Sequence, residues 1–136
     1  MVGDNRISAV LVSTDLDRSR DFYENTVGLK LSPETIPNHL IFDCGNGTTL
    51  LVYGRGSGNA ADHTQVRFWT SDVARDVAEL VERGVVFEEY DLPGLKTLNG
   101  IAVITGNYPS KGGVGEKGVW FRDSEGNLLG IGQAIR

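Results

Sequence analysis

The sequence predicts an α+β fold made of two copies of one module, a strand, a helix and then three strands. Two observations carry that expectation. The order of elements runs twice along the 136 residues, and short anchors return at fixed offsets. Ser13-Thr14-Asp15-Leu16-Asp17-Arg18 is echoed 57 residues later by Thr70-Ser71-Asp72-Val73-Ala74-Arg75, and Gly47-Thr48-Thr49-Leu50-Leu51-Val52 is echoed 79 residues later from Gly126 to Ile131. The difference between the offsets, 22 residues, is extra chain in the second copy. A length of 136 residues suits one compact domain with its own core.

In the first module (6–54), Ile7–Ser13 is rich in β-branched residues and reads as a strand. Asp15 follows as a helix N-cap, Leu16, Ser19, Phe22 and Tyr23 form a short amphipathic helix, and Val27-Gly28 ends it. Leu29–Leu31 starts a strand that Pro33 interrupts. His39–Cys44 and Thr48–Tyr53 are two further strands, joined by the hairpin signal Asn46-Gly47. Residues 55–63, rich in glycine and small polar residues, read as a linker.

The second module (64–136) begins with a strand, Gln65–Thr70. Asp72 then caps a helix whose Val73, Val77, Leu80 and Val81 follow helical spacing. Val85–Tyr90, the strand around Trp120–Arg122 and the returning strand Asn127–Gln133 complete the pattern. The extra residues fall at 91–115, with Ile101–Thr105 a candidate strand among them. A segment of that length is read as a lid or pocket wall, with a plain surface excursion as the alternative.

Composition excludes several partners. Thirteen Lys+Arg against eighteen Asp+Glu give a net charge of −5, with no basic run to neutralise phosphates, so nucleic acid is not an expected partner. No apolar stretch approaches the roughly 20 residues of a membrane span, and the N-terminus lacks a signal-peptide pattern. The single cysteine, Cys44, suits a reducing cytoplasm and a structural role. A cytoplasmic location is therefore expected.

Val12–Leu16, Arg20–Tyr23, Val27–Leu29, Ser71–Val73 and Phe121–Asn127 together resemble the vicinal oxygen chelate superfamily, which includes glyoxalase I, bleomycin-resistance proteins and extradiol dioxygenases. Ser124 stands where the family's usual turn has proline. The resemblance covers the whole chain except 91–115. It implies that the two βαβββ modules form a curved mixed sheet around a central cavity, with the helices outside, in a homodimer. Metal-dependent members hold their ion with one inward side chain on each of four strands, positions that correspond here to Ser8, Leu51, Gln65 and Gly130. Gln65 offers an amide oxygen and Ser8 a poor hydroxyl, while Leu51 and Gly130 offer nothing, so neither metal nor other cofactor is expected. His39 and His63 are read as surface or rim residues.

Strand alternation extends the inward set to Ser8, Val10 and Val12; Thr49, Leu51 and Tyr53; Gln65, Arg67 and Trp69; and Leu128, Gly130 and Gly132. Ala9, Leu11, Val66, Phe68, Leu129 and Ile131 should pack under the helices. Arg67 at a strand centre needs a partner, either a carboxylate such as Asp43 or Glu34 or an anionic or carbonyl-bearing ligand. Tyr53 and Trp69 offer stacking faces, Gly130 and Gly132 would widen the cavity, and Trp120 is either a further wall or core. Glu88, Glu89 and Asp91 form an acidic group, readable as a general base or as a solvated edge. The expected ligand site is thus Ser8, Val10, Leu51, Tyr53, Gln65, Arg67, Trp69, Trp120 and Gly130. The expected function is metal-free binding of an aromatic or carbonyl-bearing small organic molecule, with sequestration or resistance the use that the resemblance implies. The alternative is a superfamily enzyme of lyase, isomerase or dioxygenase type, with or without a divalent metal.

Overall fold

The computed structural model describes residues 1–106 and 112–136. Residues 107–111 of the expected insertion lie outside the described residues. The chain is α+β with two mixed sheets, and its contacts divide into two units: residues 1–60 with 123–126, and residues 61–122 with 127–136.

The first unit is a four-stranded sheet in the order β1-β4-β3-β2. Its strands are β1 (Ala9–Ser13), β2 (Lys30–Leu31), β3 (His39–Asp43) and β4 (Thr49–Gly54). β1 runs parallel to β4, whereas β3 is antiparallel to both β4 and β2. Asn46 and Gly47 take positive φ (56° and 73°) in the tight β3–β4 connection, as the Asn-Gly pair predicts. Helix α1 (Leu16–Asp21) is capped by the Asp15 carboxylate, which accepts from Arg18 N–H, and continues as a π-helical turn over Phe22–Val27 to Gly28. Leu11, Leu40, Phe42, Leu50, Val52 and Tyr23 are all buried, and Tyr23 and Phe42 pack ring against ring. The alternate positions Val10, Ile41 and Leu51 align across the other face, where Val10 is 52% exposed.

The turn Asp123–Gly126 makes its contacts with this first unit. The Tyr23 hydroxyl donates to Asp123 Oδ2 at 2.5 Å. Burial, and then the adjacent Asp123 carboxylate, push that phenol far above its ordinary range. Glu125 accepts from Thr14 N–H at 2.7 Å and from the Thr14 hydroxyl at 3.1 Å, and pairs with Arg18.

The second unit is a six-stranded sheet in the order β5-β10-β9-β8-β7-β6. It contains β5 (Val66–Trp69), α2 (Val73–Glu82), β6 (Asp91–Leu92), β7 (Leu95–Leu98), β8 (Ile101–Thr105), β9 (Gly115–Arg122) and β10 (Leu128–Ile135). Asp72 caps α2 through Arg75 N–H, and Val73 and Leu80 are buried beneath it. Val81, expected on the same face, is 55% exposed. Val66, Leu129, Ile131, Val119 and Phe121 form the buried layer on one face, in agreement with the predicted alternation.

The expected strand Val85–Tyr90 does not form. β8 occupies the edge of β9 along Gly115–Gly118, and residues 85–90 add one bond, from Glu88 N–H to Trp120 O at 2.8 Å. The described residues of 91–115 are largely sheet. The Pro93-Gly94 turn folds β6 onto β7, β8 extends the ladder as Ile101–Thr105 suggested, and β9 begins at Gly115.

Burial alone would raise the Glu125 carboxyl, but the bonds from Thr14 and Arg18 and the Arg18 charge outweigh it and hold the group below its ordinary 4.5. A carboxylate with a depressed folded-state pKa adds stability that is complete above the unfolded value and lost as pH falls through the folded one. Glu125→Gln should therefore lower the urea-unfolding free energy by about 1 kcal/mol at neutral pH. The gap to wild type should close as the medium is acidified below 4.5; a gap that stays constant would contradict this role.

Candidate functional site

The face of the second sheet opposite α2 is organised by one buried ion pair. Arg67 Nη2 lies 2.8 Å from Glu116 Oε2, with the side chains 16% and 0% exposed. Register explains the meeting. Arg67 on β5 stands opposite Gly130 on β10, Glu116 on β9 stands opposite Ala134, and Gly132 lies between those two positions. A Cβ at Gly132 would overlap Glu116 Oε1 and would lie 2.9 Å from Arg67 Nη2 and 3.1 Å from Nε. Glycine is therefore what allows the two long side chains to lie across the strand.

The space over Gly130 is also filled. A Cβ there would meet Thr64 Cγ2 at 3.2 Å, Trp120 Nε1 at 3.4 Å and Arg67 Nη1 at 3.5 Å. The two glycines thus accommodate protein side chains, which corrects the expectation that they enlarge a cavity. The partner of Arg67 is Glu116 rather than Asp43 or Glu34. Sequence reasoning missed Glu116 because β9 begins inside the segment taken for an insertion. The pattern Glu116, Gly118, Trp120, on one parity and beside two alternating glycines, was the signal available.

Of the expected residues, Arg67, Trp69, Trp120 and Gly130 share this face. Trp69 is 57% exposed, and the Arg67 guanidinium carbon lies 5.5 Å from its ring centroid. Trp120 is 6% exposed, clustered with Ala102 and Leu128, with Tyr90, Leu95 and Ile104 packed against them. Its indole donates to Thr64 Oγ1 at 3.1 Å, and Tyr90 meets it edge-on at 5.8 Å. Of its two expected roles, packing is the one its surroundings fit, and residues around 90–95 supply part of that packing. Gln65 Oε1 accepts from Leu128 N–H at 3.3 Å and Ala61 N–H at 3.4 Å, which fixes the entry to β5. Glu88 pairs with Arg122 at 2.7 Å and Glu89 accepts from the Thr97 hydroxyl at 2.5 Å, so two of the three acidic residues are engaged locally.

In the first unit, Val10, Leu51 and Tyr53 lie on the open sheet face, and the Ser8 hydroxyl bonds Thr49 Oγ1 at 2.6 Å. The Tyr53 ring sits 6.2 Å from that of His39, whose Nδ1 lies 2.9 Å from Pro37 O.

The metal-ligand positions of the resembled fold do not fit an ion. Leu51 and Gly130 have no donor atom, Ser8 is bonded to Thr49, and the Gln65 oxygen is taken by backbone amides. Among the described residues, no three of His, Cys, Asp and Glu are grouped so as to hold a metal. No helix is long and apolar enough to cross a membrane among the described residues.

Two α+β units of this kind, each with a helix on one sheet face, define the class to which the chain is similar. The family model described as the Glyoxalase/Bleomycin resistance protein/Dioxygenase superfamily matches residues 6–131, and the chain belongs to that superfamily. No curated protein matches the sequence. Among solved structures with the same fold is TnmS3, an antibiotic binding protein from Streptomyces sp. CB03234, at 21% identity and a TM-score of 0.60, covering 96% of this chain and 97% of that one. TioX from Micromonospora sp. ML1 is 19% identical, with a TM-score of 0.66 and coverage of 96% and 99%. A lactoylglutathione lyase from Agrobacterium tumefaciens is 19% identical, with a TM-score of 0.63 and coverage of 95% and 92%.

Gly132→Ala should cost about 2–4 kcal/mol, because it overpacks a buried site and parts the ion pair above it. Gly130→Ala, with contacts of 3.2 Å and longer, should cost clearly less. Urea unfolding of the two variants checks this; equal losses would refute the assignment of Gly132.

Proposed function

We propose that the protein binds a small organic molecule, aromatic or carbonyl-bearing, without a metal, and holds it unchanged. Trp69 carries this reading. It is a large aromatic side chain, more than half exposed at the end of the edge strand β5, kept in place from one side by Arg67. An exposed, oriented indole beside a guanidinium is suited to stacking on a planar ligand. The likeness to an antibiotic binding protein supports binding as the activity. The donor-poor metal positions support a site that works without an ion. The same reading takes the protein to be a cytoplasmic homodimer, for which light scattering should return twice the 14.7 kDa chain mass.

A superfamily enzyme is the second reading. The observation in its favour is the likeness to a lactoylglutathione lyase.

One experiment separates the two. Chelator-treated protein is titrated with 2-naphthamide by tryptophan fluorescence, and the probe is then recovered for mass spectrometry. Binding should persist without metal, the probe should return intact, and Trp69→Ala should weaken affinity by about tenfold. Binding that requires added divalent metal, or a probe that returns converted, would support the enzyme instead.

A further inference from the structure

A cleft of about 400 Å³ opens beside Trp69, lined by Trp69, Thr70, Ser71, Gln133, Ala134 and Arg136. It lies in the second unit, where β5 runs into the start of α2 beside the end of β10. From this cleft we infer that the ligand is an anion: a planar aromatic group stacked on Trp69 and bearing a carboxylate, or a group of like shape and charge, toward Arg136. The inference rests on the proposed role of Trp69 and adds the ligand's charge and orientation.

Selection for negative charge follows from the donors that the polar lining offers. Thr70 Oγ1 already accepts from Asp72 N–H at 3.1 Å, so its hydroxyl proton is directed elsewhere. Gln133 Oε1 accepts from Val73 N–H at 2.9 Å, which turns the amide nitrogen, with its two protons, to the other side. Ser71 adds a hydroxyl and Arg136 a guanidinium, whose planar fork matches a carboxylate. No Asp or Glu side chain lines the cleft among the described residues. The nearby Asp72 carboxylate is occupied in capping α2 through Arg75 N–H at 3.0 Å. In a chain of net charge −5, a donor-lined cleft with no Asp or Glu side chain among the described residues, beside an exposed indole, is out of keeping with the average surface.

The other guanidinium near Trp69 does not take this role. Arg67 is matched by Glu116, so that pair presents a neutral floor and leaves the choice of ligand charge to the cleft.

The test compares 2-naphthoate with 2-naphthamide at pH 7 by tryptophan fluorescence, on wild type, Arg136→Gln and Arg136→Lys. Wild type should bind the carboxylate about tenfold more tightly than the amide, the increment of one charge-assisted bond. In Arg136→Gln the ratio of affinities should fall to about one, and Arg136→Lys should restore part of it. Equal affinities in wild type, or a carboxylate preference that survives Arg136→Gln, would overturn the inference. If the amide binds through Trp69 with no preference for charge, the binding function stands and the anion assignment falls. If neither probe binds, both fall.

Discussion

The face of the second sheet opposite α2 depends on the pairing of Arg67 with Glu116 across Gly132. Removing two charges from water is costly, and the mutual attraction repays it when geometry is good and both partners remain. The arrangement constrains its neighbours. Glycine is needed at 132, where a methyl group would strike the carboxylate, and Arg67 must reach along β10 from its position opposite Gly130. That path places the guanidinium against the Trp69 ring and so helps to set which way the indole faces. A fold requirement and a proposed binding surface thus share one side chain.

The pair also changes the meaning of the positions at which metal-dependent superfamily members carry their ligands. Gly130 is a place where protein side chains are packed, with Thr64, Trp120 and Arg67 all within 3.5 Å of a built Cβ. The internal cation and carboxylate neutralise each other, and the proposed polar recognition falls to the end of the sheet. In the proposed reading, stacking and directional hydrogen bonds hold the ligand.

Elements governed by local chemistry were legible in the sequence. Asp15 and Asp72 cap their helices, Asn46-Gly47 turns its hairpin, and Val66, Leu129 and Ile131 point into the core as alternation requires. The repeat is readable because each anchor is a short motif with its own conformational demand. What could not be read depends on long-range register. The 85–90 segment has strand composition yet meets β9 through one bond, Glu88 N–H to Trp120 O, past the Gly115–Gly118 stretch that β8 pairs. Glu116 stayed hidden for the same reason, since only the β9–β10 ladder brings it near Arg67. The expected site was partly legible: Arg67, Trp69, Trp120 and Gly130 do share a face, but Trp120 is enclosed and Gln65 is committed to backbone amides.

A double-mutant cycle on Arg67→Leu and Glu116→Leu, read by urea unfolding, tests the central interaction most directly. Each single variant should lose about 3–5 kcal/mol, because it strands a charge in the interior, and the double variant should lose far less than the two losses combined. Losses that simply add would contradict the account and would mean that the two side chains support the sheet independently.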